Sequence, residues 1–520
     1  MLQSVEKSIV KLQVLRYQFS TVRPWFHADF MSSHSSGFAV ETSVGKFIIT
    51  NFHCIVNYKE IMVSNFENKT FSGTVVSHFA SLDLAMISVP AEFWKTAKCL
   101  KFAVPSKGAA VYILGYPALQ TSIMSISEGT LNRIAQVRYM QRSLVSLAYE
   151  IDCKVNPGNS GGAAVNSAGE LCGVPFAGTV AHEIERINWV IPSFLVKMFI
   201  EKSEIAIKSR KPIKYFYKQK PSMRMEYLKY TNVDKISIIK INAQELDDED
   251  MINVFGNKGI VVSSIGNDVK GLQLYDVITS IGGTPITNTG HCDFKRVVKK
   301  YLNVDHNDDI KTIDNISIFS LIGLLPVNSE VEMEILRKGK PKTIKTITQE
   351  YYSGLYEYYH DLPPCYFILH KLLLVPISQM MIKESELHHH LQHSFSRISS
   401  FMHSPPGKQN IVIMQTLDNT LNSQYKGIVM QVIDSVNNVI VNNLSHLYEI
   451  VNKPAKNYLL KFKNCKDIRI VPGNWKKTSM QTIRIHNIPQ IYVPSMLPSF
   501  PKTKKVSKES DSEIEISESD

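Results

Sequence analysis

Within the first two hundred or so residues, apolar side chains come in short runs that Gly, Ser and Asn keep interrupting, with little helical periodicity. KFIITNFHCIV (46–56), DLAMISV (83–89), AAVYILGYP (109–117), GAAVN (162–166) and INWVIP (187–192) are each the size of a strand. Many short strands with turn signals point to an all-β barrel or sandwich rather than to alternating βαβ units. SFLVKMFIEK (193–202), with apolar residues at helical spacing, is expected to close this domain as a helix.

Between two of these strands lies NPGNSGG, Asn156 to Gly162, which sets Ser160 among small residues. A serine nucleophile needs a turn that aims its hydroxyl outward while neighbouring N–H groups converge on one point. Gly158, Gly161 and Gly162 supply the backbone freedom for such a turn. Converging amides can then hold the oxyanion of a tetrahedral intermediate. Alone, the run is equally a loop that contains a hydroxyl, so other residues must decide.

A chain of 520 residues exceeds a single core, and usual domain sizes suggest about three or four domains. The charge of +11, from 58 Lys and Arg against 47 Asp and Glu, could suggest nucleic acid. The basic residues are scattered, however, and no nucleic-acid motif accompanies them; the small cluster KSRKPIK (208–214) reads as a solvated linker. Seven cysteines without a CxxC pair favour a reduced compartment. No apolar run reaches the roughly 18–20 residues that span a bilayer. The start, MLQSVEKSIVKLQVLRYQF, alternates charged and apolar residues and reads as early strands rather than a leader, which favours cytoplasm or nucleus with an organelle left open.

After a basic, aromatic linker at 203–230, a second unit is expected over 231–348: KGIVVSSI as a strand, LQLYDVITSIGG as two strand segments around a turn, and VEMEILRKGK as a strand into a turn. A third unit, 364–480, repeats that order, with GIVMQVIDSVNNVIV answering GIVV…DVITSIGGTPI, which suggests a divergent duplication. The tail at 500–520 is dense in charge and is expected to be disordered. HHH at 388–390 with His393, Glu384 and Glu386 reads as an exposed polar helix face, so no metal or cofactor is expected.

A hydrolytic serine needs a base, and the base an orienting carboxylate. His53 follows a strand-like run, Asp83 opens another, and Ser160 comes third. That order is associated with double β-barrel serine proteases, and the local sequence at all three sites strengthens it. Here the chain resembles the HtrA/Deg family of ATP-independent serine proteases. SSGFAVETSVGKFIITNFHCIV is similar to that family's glycine–strand–TNxHV signature, and SLDLAMISV to its D-[IL]-A-[LV] segment. IDCKVNPGNSGGAAVNSAGELCGV is similar to its stretch around N-P-G-N-S-G-G, and ILGYP and SEGTLNRI match further elements in order. The late segments PPCYFILHKLLLVPIS and NIVIMQTLDNTL…LYEIV resemble the longer eukaryotic Deg branch, whose second PDZ-like domain is degenerate.

The resemblance implies a mainly β protein: a chymotrypsin-like double β-barrel protease domain over 1–202, followed by two PDZ-like α+β domains. It implies that Ser160 attacks a peptide carbonyl, that His53 carries the proton, and that Asp83 fixes the imidazole tautomer. It places the oxyanion hole at the amides of Gly158 and Ser160, with Asn159 shaping the turn. The implied activity is endoproteolysis of unfolded or damaged protein, without cofactor, by homo-oligomers built on trimers. The alternative is a proteolytically inactive chaperone or scaffold that binds unfolded segments.

Two departures touch the specificity pocket. Six residues before the nucleophile, where the family usually has Ala, stands Lys154, and the family's I-G-[FY]-x-I-P strand reads INWVIP, with Asn188 and Trp189. Either Lys154 makes the pocket polar, or it reaches out to solvent, since an unpaired buried charge is costly. In the first PDZ-like unit the candidate carboxylate loop, VDKISIIKI (233–241), has no glycine, which argues against capture of free C-termini.

Overall fold

The computed structural model describes residues 5–20, 23–118, 123–139, 145–178, 187–209, 231–232, 236–266, 269–293, 315–351, 364–378, 381, 408–417, 429–463 and 468–493. The histidine run with its two glutamates, most of the 203–230 linker and the charged tail lie outside the described residues. The chain divides into two compact units, the first reaching Tyr351 and the second running from Pro364.

The first unit opens with β1 (Ile9–Phe19), β2 (His27–Thr42), β3 (Gly45–Asn51), β4 (Tyr58–Ser64), β5 (Thr70–Phe79) and β6 (Leu84–Ser88). They pair antiparallel in the order β5-β4-β1-β2-β3-β6, and β6 pairs back onto β5, which closes a six-stranded barrel. Val10, Leu12, Val14, Ile48, Ile61 and Val63 fill one core on its inside. Val40, Ile49, Leu84 and Met86 face a second core shared with later strands. From Phe47 to Asn51, β3 is therefore buried on both faces, which is why FII and LAMI are unbroken apolar runs rather than alternating ones.

A second closed barrel follows, from β7 (Ala110–Gly115), β8 (Ser125–Arg138), β9 (Val145–Ile151), β10 (Ala163–Val165), β11 (Leu171–Gly178) and β12 (Asn188–Pro192). The chymotrypsin-like double barrel is thus present, and the mainly β class with it. Helix α1 (Ser193–Lys208) closes the barrels as expected but continues beyond 202. Its extra turns stay docked because the Ser203 hydroxyl donates to Ser77 Oγ of β5 at 2.8 Å and Lys208 Nζ donates to Ser43 Oγ.

Still within the first unit, Ile241–Gln244, Ile260–Ile265, Val277–Ile281, Glu330–Arg337 and Lys340–Ile347 form a sheet in that order. The turn expected at RKGK is there: Arg337 pairs with Lys340 across Lys338 (φ 52) and Gly339 (φ 72), the type I′ geometry that suits hairpins. The second unit repeats the device at SVNNVIV, where Asn437 (φ 49) and Asn438 (φ 65) turn Ile433–Val436 into Val439–Ile440. A helix, Leu444–Asn452, then starts on the Asn443 side chain, which accepts from the His446 N–H. The strand, turn and strand read from SVNNVIV are observed, and the helix follows directly.

Candidate active site

Antiparallel pairing of β3 with β6 places the end of one strand beside the start of the other, Asn51 opposite Leu84. Residues just past Asn51 and just before Leu84 must therefore meet. His53 sits in a single 3-10 turn, Phe52–Cys54, and Asp83 caps the turn that precedes β6 in the left-handed region, φ 53 and ψ 42. The Phe52 N–H and the Asn51 side-chain amide both donate to the Asp83 carbonyl at 3.0 Å. The Asp83 carboxylate takes two bonds from His53: Oδ1 accepts the backbone N–H at 2.8 Å, and Oδ2 lies 2.7 Å from ring Nδ1.

The carboxylate side chain is completely buried, whereas the imidazole keeps 22% exposure. Burial alone would disfavour the imidazolium, but the Asp83 charge, the neighbouring Cys54 sulfur and their hydrogen bonds outweigh it. The net effect holds His53 well above its ordinary value. Cys54 moves the other way: burial raises its pKa, and the His53 charge and hydrogen bond lower it by more.

Ser160 lies between β9 and β10, in a loop tied to the first barrel by Ser36 of β2. The Ser36 N–H donates to the Ser160 carbonyl at 3.0 Å. Its buried hydroxyl donates to the Gly158 carbonyl and accepts from the Tyr116 N–H, each at 2.8 Å. The Asn159 N–H closes a turn onto the Asn156 carbonyl at 3.0 Å across Gly158, whose φ is 99. Among the described residues the N–H groups of Gly158 and Ser160 donate to no backbone carbonyl. Asn159 is fully buried and its Oδ1 accepts from Ser125 Oγ at 3.3 Å.

His53 and Asp83 are joined directly, and Ser160 is brought alongside them. Cys54 Sγ lies 3.6 Å from His53 Nε2 and 3.7 Å from the Ser160 carbonyl oxygen. Among the described residues no hydrogen bond joins Ser160 Oγ to Nε2, whose contact is with Cys54 Sγ. Lys154 is exposed, on the solvent side of the two expectations. Asn188 is buried and its amide donates to the Cys153 carbonyl at 2.6 Å, while Trp189 of the same strand is half-buried. Sequence reasoning missed Ser36, Cys54 and Arg16. The first announced itself only as a polar residue before a glycine, and Arg16 had no local signal.

A trypsin-like peptidase family model matches residues 35–174, which includes His53, Asp83 and Ser160, and a PDZ family model matches residues 356–492. The chain is 24% identical over 450 residues to Protease Do-like 2, chloroplastic, of Arabidopsis thaliana, covering 84% of this chain and 66% of that protein, just under two thirds. It is 26% identical over 461 residues to Putative protease Do-like 13 of the same plant, covering 87% of this chain and 81% of that one. The solved HtrA-type protease AlgW with a tripeptide aligns at a TM-score of 0.45 and 16% identity, over 66% of this chain and 94% of that structure. Double barrels, a His–Asp pair at their junction and a PDZ domain define a trypsin-like peptidase with an appended PDZ module. Within that class, the relatives this chain matches are Do-like and HtrA proteases.

Proposed function

We propose that the protein is a serine endopeptidase that cleaves unfolded or damaged protein without ATP, as part of protein quality control. The observation that carries this reading is the pair of hydrogen bonds that Asp83 accepts from His53, one from its N–H and one from Nδ1, at a junction where Ser160 is held by Ser36. Ser160 is the nucleophile, His53 the general base and then acid, and Asp83 the residue that fixes Nδ1–H and stabilises the imidazolium. The amides of Gly158 and Ser160 receive the oxyanion, where removing one donor costs about 10²–10³ in rate. Asn188 and Trp189 bound the pocket for the cleaved residue, with Lys154 reaching out to solvent, and a homo-oligomer is the working assembly. Chloroplast and mitochondrion, which the relatives' names carry, are the compartments to image against cytosol and nucleus.

The test is digestion of unfolded casein, with Ser160→Ala as control and fluorophosphonate labelling as a second readout. Wild type is expected to cut and label, and the variant to do neither. Casein left equally intact by both, with peptide activators and heat included, would return the protein to a non-proteolytic binder.

The pH profile should carry the mark of Asp83. A base must be neutral to accept a proton, so kcat/KM falls as pH drops through the raised pKa of His53, and the acid limb has its midpoint above about 6.5. The stability sign is the reverse. A folded pKa above the unfolded one gives a contribution complete below about 6.5 and lost as pH rises through the folded value. An acid limb centred at or below the ordinary histidine value would count against the His53–Asp83 pairing as the governing interaction.

A further inference from the structure

The turn that carries His53 is held from three sides, and only two of them involve Asp83. A short 3-10 turn leaves its last carbonyls without N–H partners, and they must be satisfied from elsewhere. In Phe52–Cys54 the carbonyl of Phe52 is taken by the Ile55 N–H at 2.9 Å. The next two, those of His53 and Cys54, receive no other donor from the described residues than one arginine. Arg16 Nη1 donates to the His53 carbonyl at 3.1 Å and Nη2 to the Cys54 carbonyl at 2.6 Å. The remaining edge is fixed too, since Nε donates to Ser33 Oγ at 2.7 Å.

Arg16 reaches this position because β1 is irregular there. Its register with β4 shifts between Leu15 and Arg16, and its register with β2 shifts between Arg16 and Gln18. Such irregularities re-aim a side chain out of the regular alternation. No carboxylate among the described residues pairs with the guanidinium. Burial pulls its pKa below the ordinary arginine value, with Cys54 opposing. A half-buried cation satisfied by two successive carbonyls is a poor choice for stability alone, because it forgoes an anion and still loses hydration. As a rigid fork it is well suited to fixing two adjacent peptide planes, a geometry that lysine cannot reproduce.

We propose that Arg16 is a positioning residue for the general base, acting through the His53 and Cys54 carbonyls to hold Nε2 where it meets Ser160. The inference rests on the reading of His53 as the base. With Arg16 in place, His53 is fixed at its N–H and ring by Asp83 and at its C=O by the guanidinium. Without it, two carbonyls lose their donors and the turn relaxes while the Asp83 bonds persist. A displacement of about 1 Å at a reacting atom is enough to cost on the order of 10²-fold in rate.

The experiment compares Arg16→Met, Arg16→Lys and Ser33→Ala with wild type, using a peptide substrate and rates normalised to fluorophosphonate-titrated sites. Arg16→Met is expected to lower kcat per titrated site about 10–100-fold with KM within about twofold. Arg16→Lys, which restores one donor, should fall between, and Ser33→Ala, which only frees Nε, should lose least. A merely structural arginine would reduce the number of titratable sites and leave each site's kcat and KM at wild-type values, which would overturn the proposal. Should Arg16→Met not fold, the lysine and Ser33→Ala pair decides by the same per-site kcat. A wild-type protein that neither cleaves nor labels would instead remove the base itself, and this inference with it.

Discussion

Asp83→Asn is expected to lower kcat by about 10⁴-fold while the protein stays folded and KM barely moves. The substitution is conformationally mild, since Asp83 occupies the left-handed region at φ 53 and asparagine tolerates that region as readily. What changes is the pattern of donors. The carboxylate now accepts from the His53 N–H and from ring Nδ1, one through each oxygen. An amide has one oxygen, and the backbone N–H, which can only donate, will claim it. The amide NH₂ is then left facing Nδ1, so Nδ1 must accept and the ring proton moves to Nε2. An imidazole protonated at Nε2 cannot take the proton of Ser160. The buried anion that supports the imidazolium is lost in the same step. Losing that charge also removes the largest of the influences that lift the His53 pKa, so residual activity should show its acid limb at lower pH. Steady-state kinetics from pH 5 to 9 beside a thermal melt read both effects. Activity within tenfold of wild type would show that Asp83 does not orient the base.

His53 and Asp83 were legible in the sequence because one follows and the other opens a strand-like run, in segments, FIITNFHCIV and SLDLAMISV, that resemble HtrA/Deg ones. The pairing of Asn51 with Leu84 then brings the two together. The supports of the site were not legible, since they join segments remote in the chain. Ser36 reaches Gly158 across 122 positions, and Arg16 reaches His53 across 37. Neither distance leaves a local pattern, and a register irregularity in β1 is invisible until its neighbours are known. The hairpin turns at Lys338–Gly339 and Asn437–Asn438 were readable for the opposite reason: their left-handed φ values are demands on the two residues themselves. Helix α1 passed its expected end, and a buried Ser203–Ser77 contact that the sequence could not announce ties its later turns to β5. For Lys154 the sequence left two positions open, and its exposure matches the cost of burying an ammonium without a partner.

Gly161→Ala should remove both stability and activity, in contrast to Ser160→Ala one position away. Gly161 has φ 80, where an added Cβ costs about 1–2 kcal/mol of backbone strain. That Cβ would also collide with Thr50 Oγ1 and the Ser36 carbonyl and lie 2.9 Å from the Asn51 nitrogen. Thr50 Oγ1 donates to that same Ser36 carbonyl at 2.7 Å, so the methyl lands on a buried hydrogen bond rather than on a side chain that can swing away. Overpacking of this kind typically adds about 1–3 kcal/mol. Together these terms approach the lower part of the usual stability range, about 5 kcal/mol. The damage falls where the two barrels meet, because Gly161 N–H donates to Pro175 of β11 while its Cα faces β2 and β3. Any relief must push the serine loop away from β3, and His53 follows directly after that strand. Thermal melts and fluorophosphonate labelling of the two variants separate the causes. Ser160→Ala should melt near wild type and fail to label, whereas Gly161→Ala should melt several degrees lower and label slowly even while folded. A Gly161→Ala protein with the wild-type melt and labelling rate would mean that the loop can rise off β3 without cost, and that the close approach of the serine to the first barrel is not what aligns the site.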